Sequence, residues 1–270
     1  MGTPAPLVEL PIRRCAALRH LFTDIDDTIT EGGLLPASTF DCLWALEKAG
    51  VRTVAVTGRP AGWCDHIARM WPVAGVVGEN GALIYAYDRQ RRRMERRYLI
   101  PEPERLEGRR RLERIRERVL REVPGCAIAA DQPFRLADLA IDYREDAGPL
   151  GEEQVQTLCR IIESEGAAYK ISSIHINCWY GEFDKVRGVR RFLAERGLEL
   201  EAPEVQDSVL FIGDSPNDEP LFQALAASIG VANIRPFLSR LRHPPAYLTE
   251  RPAARGFAEA VNLILARRNS

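Results

Sequence analysis

Hydrophobic residues follow two rhythms along this chain. In three places a short apolar run ends on small or acidic residues: LRHLFTDID (18–26), VRTVAVTGR (51–59) and DSVLFIGDS (207–215). Runs of this length and β-rich composition predict strands. Between the first two, PASTFDCLWALEKAG (36–50) takes a helical rhythm, in which Phe40, Leu43, Trp44 and Leu46 can share a face and Gly50 is a stop. Strand, helix and strand at this spacing predict a βαβ unit and therefore a parallel sheet. PNDEPLFQALAAS (216–228) reads as another helix after a strand, ASIGVA and AYLT as further short strands, and AARGFAEAVNLILARR (253–268) as a C-terminal amphipathic helix.

The middle of the chain is patterned differently. Residues 88–122 are dense in arginine, and Leu106, Leu112, Ile115, Val119 and Leu120 recur at near-helical spacing. This predicts a helix with one apolar face and one solvated Arg/Glu face. Strand-like runs (CAIAA, LADLAIDY), a helix (GEEQVQTLCRIIESEG) and two more strands (AYKIS, SIHINCWY) follow. The pattern reads as an α+β insertion at 87–181, placed between two halves of an α/β core, 1–86 and 182–270.

Composition narrows the function classes. The chain has 270 residues, 46% of them hydrophobic, enough for one or two globular domains. A formal net charge of -1 provides no global field for nucleic acid or an anionic membrane. No apolar run approaches the ~18 residues of a membrane span, and MGTPAPLVELPIRRC lacks the apolar segment of a signal peptide. The six cysteines are scattered without CxxC spacing, which suits thiols in a reducing compartment rather than disulfides or zinc. A soluble cytoplasmic protein is the expectation.

The acidic strand ends are where chemistry is expected. Along an extended backbone residues two apart share a face, so Asp24 and Asp26 of DIDDT point the same way while Asp27 turns elsewhere. Two close carboxylates need a cation, a shared proton or both, and a hard divalent ion with oxygen ligands, such as Mg²⁺, suits them. Asp214 and Asp218 of FIGDSPNDEP repeat the arrangement at another strand end. Thr57 and Gly58 of VTGRP bring a hydroxyl and backbone N–H groups, which a phosphate oxygen needs. Lys185 is one of only three lysines, with Lys48 and Lys170, in an arginine-rich chain, and a compact ammonium can pair with carboxylate and phosphate alike.

Taken in order, Asp-x-Asp-x-Thr, Thr-Gly-Arg, Lys and Gly-Asp-x-x-Asn-Asp resemble the haloacid dehalogenase-like (HAD) superfamily of phosphohydrolases. GENGALIY (78–85) resembles a signature of its Cof-like, type IIB branch, which includes sugar-phosphate phosphatases and phosphomannomutases. The resemblance covers about 15–86 and 182–265, while the insertion matches in position and α+β character. It implies a Rossmann-like parallel-sheet core with an inserted cap, and an Mg²⁺-dependent phosphatase acting on a small phosphorylated metabolite, a sugar phosphate foremost. It further implies Asp24 as nucleophile and Asp26 as general acid and then base. Metal would be held by Asp24, the Asp26 backbone carbonyl and Asp214, with Asp218 acting directly or through water. Thr57, Gly58 and Lys185 would hold phosphoryl oxygens, and Asn217 would orient Lys185 or the phosphate. Asp27 stands where the family commonly has Gly, and is read as a turn residue.

Other residues carry two readings each. Arg59 would contact substrate or pair with a local carboxylate. Glu79 and Asn80 would shape the crossing into the cap or, for Asn80, touch substrate. His175, Asn177 and Trp179 share a strand face, and would either line the cleft and read a sugar or pack a half-buried cap strand. The arginines of 89–97 would attract an anion or form a solvated face. A phosphomutase on the same scaffold is an alternative. A receiver-like phospho-acceptor module is a further one, against which the motif order argues.

Overall fold

The computed structural model describes residues 3–172 and 174–268. Ser173, the first residue of the expected strand SIHINCWY, lies outside them. In chain order the first half of the core runs β1 (Ala5–Pro6), α1 (Ile12–Ala17), β2 (His20–Thr23), α2 (Ala37–Lys48), β3 (Arg52–Val56), α3 (Ala61–Met70), β4 (Gly75–Gly78), β5 (Leu83–Asp88) and β6 (Arg93–Tyr98). The insertion follows as α4 (Glu102–Glu122), β7 (Ala127–Ile128), β8 (Asp138–Asp142), α5 (Glu152–Ser164), β9 (Ala168–Ile171) and β10 (His175–Trp179). The chain returns through α6 (Lys185–Ala194), α7 (Pro203–Ser208), β11 (Val209–Gly213), α8 (Glu219–Ala224), β12 (Ser228–Gly230), β13 (Tyr247–Leu248) and α9 (Ala253–Arg268).

Nine strands form one sheet in the order β1-β13-β12-β11-β2-β3-β4-β5-β6, parallel from β1 to β4 and antiparallel across β5 and β6. Alternation along the strands explains why both faces are covered. Leu21, Leu210 and Ile212 join the buried residues of α1, α2, α3 and α9 on one side. Their neighbours Phe22 and Phe211 join Val189, Phe192 and Leu221 from α6 and α8 on the other. Phe22 meets Phe192 edge-on, with ring centroids 6.0 Å apart.

The second sheet, β7-β8-β10-β9, is antiparallel. Leu139, Ile141, Ile176 and Cys178 pack on α4 and α5. The alternate residues of β8 and β10, including Asp138, His175 and Asn177, therefore take the opposite face. This is an α/β core with a separate antiparallel sheet inserted, as expected.

Three expectations need correction. Residues 87–98, assigned to the insertion, belong to the large sheet, because β5 and β6 pair from Leu83↔Tyr98 to Asp88↔Arg93. Trp44 does not share the inner face of α2: it is 42% exposed, while Thr39, Cys42, Leu43 and Leu46 are buried, since a period of 3.6 residues carries position 44 off the stripe. On α4 the same geometry buries Leu112, Ile115 and Val119 and leaves Leu106 and Leu120 outside. Among the described residues no helix is long and apolar enough to cross a membrane.

Candidate active site

Three adjacent parallel strands deliver the acidic motifs together. β11 pairs with β2 (Ile212↔Thr23) and β2 with β3 (Thr23↔Ala55), so Asp214, Asp24 and Thr57 leave neighbouring strands at the same end. The Asp24 N–H donates to Ile212 O at 2.9 Å, which fixes its backbone to the sheet. Lys185 is the first residue of α6, whose N-cap Asp184 accepts from the Arg187 N–H at 2.7 Å. The Lys185 ammonium is buried and donates to Asp24 Oδ1 and Asp218 Oδ1, each at 2.7 Å.

The turn after β11 folds around Asp218. Its Oδ2 accepts from the Asp214 N–H at 3.1 Å, and a Cβ on Gly213 would lie only 2.5 Å from that oxygen. The glycine at 213 is thus required by close approach. Asp214 accepts from Thr28 Oγ1 at 3.3 Å and from Asn233 Nδ2 at 3.2 Å. Asn233 also donates to Asp27 O at 3.1 Å and accepts from the Ala253 N–H at 2.9 Å. Asp27 sits in the left-handed region at φ 54°, as a turn residue.

Asp24, Asp214 and Asp218 bring one carboxylate oxygen each within 4.8 Å of one another, all three buried. Burial pushes the pKa of Asp24 up to about 8, and the neighbouring Asp218 and Asp26 add to this against the pull of Lys185. Burial, then Asp218 and Asp24, hold Asp214 well above the carboxylate range. Burial works against the Lys185 ammonium too, but Asp218 and Asp24 outweigh it and raise its pKa. The Lys185 ammonium bonds Asp24 and Asp218 of the three, so when all three are ionised their negative charge exceeds its own. Converging hard oxygens with this imbalance fit a divalent cation.

Asp26 faces the same cleft but has its own partner. Arg59, just beyond Thr57 and Gly58, grips it with Nε at 3.0 Å and Nη2 at 2.8 Å. The guanidinium lies over the Trp63 ring, 4.6 Å from its centroid. Its Nη1 stands 3.5 Å from Glu145 Oε1 of the insertion, and Glu145 Oε2 is 2.9 Å from His175 Nε2. Burial keeps the His175 imidazole below its ordinary pKa. Arg59 thus pairs with a local carboxylate, and it also lines the cleft.

The remaining predicted residues divide. Asp24, Asp26, Gly58, Arg59, Asn80, Asn177, Asp214 and Asn217 line one cleft between the strand ends and the second sheet. The insertion adds Lys170, Ser172 and Ile174 to its wall. Thr57 lies beneath the surface, its Oγ1 accepting from the Arg59 N–H at 3.0 Å. Asn217 accepts from Ser215 Oγ at 2.7 Å. Asn177 donates to Asp138 Oδ2 at 2.9 Å. Trp179 stacks on Phe183 at 5.1 Å, a packing role.

Glu79 joins core and insertion. It is fully buried and accepts from the N–H groups of Ala61 (2.9 Å), Leu136 (2.9 Å) and Ala137 (2.6 Å). Nearby, Arg135 donates to Gly58 O at 2.9 Å. Burial, reinforced by Asp138, pushes the Glu79 pKa from 4.5 up to about 7. The folded protein therefore holds this proton more tightly than the unfolded chain, and stability drains away as pH rises from 4.5 through 7. Urea unfolding across this range should show a shallower loss in Glu79→Gln than in the wild type. Equal slopes would sink the assignment. Glu145 and Asn233 carry no local sequence signal, because their partners lie far along the chain; Arg135 pairs locally with Asp131 and Asp138, but its bond to Gly58 O crosses 77 positions.

Residues 21–103 match the family model for haloacid dehalogenase-like hydrolases. No curated protein matches the chain in sequence. Among solved structures it is similar to a Thermoplasma acidophilum protein (TM-score 0.69, 17% identity, covering 92% of this chain and 98% of that one). It is similar also to a HAD subclass IIB sugar phosphatase (TM-score 0.61, 15% identity, 90% and 98%). A third is the sucrose-phosphatase of Synechocystis, solved with sucrose and phosphate (TM-score 0.63, 15% identity, 91% and 97%). At such identities the likeness is one of fold, and its coverage takes in the insertion as well as the core. The family match lies over the first acidic motif, and the likeness of fold extends over the rest of the chain: residues 21–103 are similar to haloacid dehalogenase-like hydrolases, and the whole chain shares the fold of the solved HAD phosphatases.

Proposed function

We propose that the protein is an Mg²⁺-dependent phosphatase of a small phosphorylated metabolite, a sugar phosphate, working through an aspartyl-phosphate. The observation that carries this reading is the buried bridge of Lys185 to Asp24 and Asp218 beside Asp214. It holds one carboxylate as a nucleophile among groups that bind cation and phosphate. In the first step a carboxylate oxygen of Asp24 bonds to phosphorus as the bond to the leaving oxygen breaks. Asp26 gives that oxygen its proton, then takes one from the water that hydrolyses the aspartyl-phosphate. Arg59 grips both oxygens of the ionised Asp26, so Asp26 takes up a proton and loosens that grip before it acts as the acid. Lys185, Thr57, Gly58 and Asn217 hold the phosphoryl oxygens.

Asp24, Asp214 and the Asp26 backbone carbonyl would hold Mg²⁺, with Asp218 joining directly or through water. When bound, the ion supplies charge compensation to the carboxylates and phosphoryl oxygens. The inserted α+β unit serves as the cap, closing the cleft over the leaving group, and Asn177 faces that group together with Lys170.

The test is release of inorganic phosphate with Mg²⁺ from hexose and disaccharide phosphates, phosphoglycerate conjugates and nucleotides, with Asp24→Asn as blank. Isomerised product without phosphate release would mean a phosphomutase. A stable phospho-protein without turnover would mean an acceptor module. Asp26→Asn should lower kcat by about 10²–10⁴-fold. Full turnover by that variant would remove Asp26 from the acid/base role.

A further inference from the structure

The crossing from β4 to β5 holds the chain against its backbone preference. Glu79 and Asn80 both adopt left-handed angles, φ 44° and 54°, a region that non-glycine residues enter at a steric cost. Such residues persist when their surroundings fix them, and they gather at functional sites. Here the surroundings do fix them. Four backbone N–H groups hold the Glu79 carboxylate, one from the core and three from the insertion. The Glu79 N–H donates to Arg59 O and the Asn80 N–H to Thr57 O, each at 3.1 Å. The crossing is thereby tied to both ends of the Thr57-Gly58-Arg59 loop.

What this arrangement positions is the Asn80 side chain. It lies against Gly58, where an added Cβ would be 3.2 Å from its Oδ1 and 3.3 Å from its Nδ2. The residue is 6% exposed, and Nδ2 is buried without a hydrogen-bond partner among the described residues, although the side chain lines the cleft with Asp24 and Asp26. A buried donor left unpaired costs free energy, so its presence asks for an acceptor. The backbone strain does not supply one, because the turn is already held through Glu79.

We propose that Asn80 is a catalytic residue: its amide donates to an oxygen of the transferring phosphoryl group, beside the Gly58 backbone of the Thr57-Gly58 loop. This rests on the phosphatase reading and adds to it a donor aimed before substrate arrives. Such a bond strengthens as charge moves onto the phosphoryl oxygens in the transition state. Glu79 is then a positioning residue, and because Leu136 and Ala137 belong to the insertion, docking of the cap helps to aim the donor.

Asn80→Gly is the informative variant, since glycine accepts the left-handed backbone and only the amide is lost. Asn80→Gly should lower kcat/KM for p-nitrophenyl phosphate about 10²-fold. It should weaken binding of orthovanadate, a phosphoryl mimic, and melt at or above the wild-type temperature. Asn80→Asp, of the same shape but with a charge opposed to phosphate, should be weaker still. Unchanged kcat/KM or unchanged orthovanadate affinity in Asn80→Gly would overturn the assignment. So would a melting temperature well below wild type, which would make Asn80 structural. A wild type that neither turns over p-nitrophenyl phosphate nor binds orthovanadate would overturn the phosphatase reading and this one with it. A fully active wild type with an unimpaired Asn80→Gly would overturn only the role of Asn80.

Discussion

Asp24→Asn should lower kcat on the order of 10⁵-fold, as removal of a covalent nucleophile does. An amide does not attack phosphorus, and it contributes no charge to a cation. The variant should nevertheless fold well. Lys185 keeps Asp218 as partner, at 2.7 Å, so no buried ammonium is orphaned. Moreover, burial pushes the Asp24 pKa from 3.8 up to about 8. A folded-state pKa raised in this way means that, without metal, stability is lost as pH rises from 3.8 through 8. Asn does not titrate and escapes that loss. In thermal melts at pH 8 with chelator, Asp24→Asn should therefore match or exceed the wild type. Mg²⁺ should then raise the melting temperature of the wild type more than that of the variant, since a ligand bound only by the folded state stabilises it. Residual turnover within tenfold of wild type would remove Asp24 from the nucleophile's place. A variant melting well below wild type would show that the acidic cluster is not under the tension described.

Lys185→Met has the opposite signature, a large loss of stability together with activity. It removes a cation that touches both Asp24 and Asp218, each buried and each bonded to it at 2.7 Å. Breaking a buried ion pair from one side costs about 3–5 kcal/mol, because the remaining charge keeps its desolvation penalty without compensation. Urea unfolding in chelator is the measurement. The double variant Lys185→Met/Asp218→Asn should recover part of the loss, since it removes one of the two stranded carboxylates, and a double-mutant cycle isolates the coupling. Arginine is not expected to rescue activity, because a planar guanidinium cannot take the place of a compact ammonium between two carboxylates. A Lys185→Met protein within about 1 kcal/mol of wild type, the scale of an exposed pair, would show that the bridge is not held dry.

Strand ends were legible along the chain because three apolar runs each stop at the residues that matter. The change from Phe22 to Thr23 to Asp24 marks the edge of the sheet as well as the start of the chemistry. Helix faces were less legible. Trp44 is apolar and near the stripe, yet 3.6-residue geometry turns it to solvent while the polar Thr39 goes inside. The β5–β6 hairpin escaped because its arginines read as a charged insertion, although an antiparallel edge needs only one apolar face and takes polar residues on the other. Arg59 carried two readings in the sequence, and its pairing with Asp26 is visible only as a distance in the fold. Asn233 carried none, since its contacts to Asp27 and Asp214 cross long stretches of chain.

By itself, the sequence determined an α/β core, an α+β insertion, and an acidic pair at a strand end with a second pair and a lysine to match. These follow from periodicity and residue type, which are local properties. Tertiary structure alone decided which carboxylates Lys185 touches, that Arg59 holds Asp26, and that Glu79 ties the insertion to the Thr57-Gly58-Arg59 loop. It also decided that Asn80 stands strained against Gly58, its Nδ2 without a partner among the described residues. Those are distances between residues remote in sequence, set by strand register and by the packing of two sheets against each other. No spacing along the chain encodes them one residue at a time.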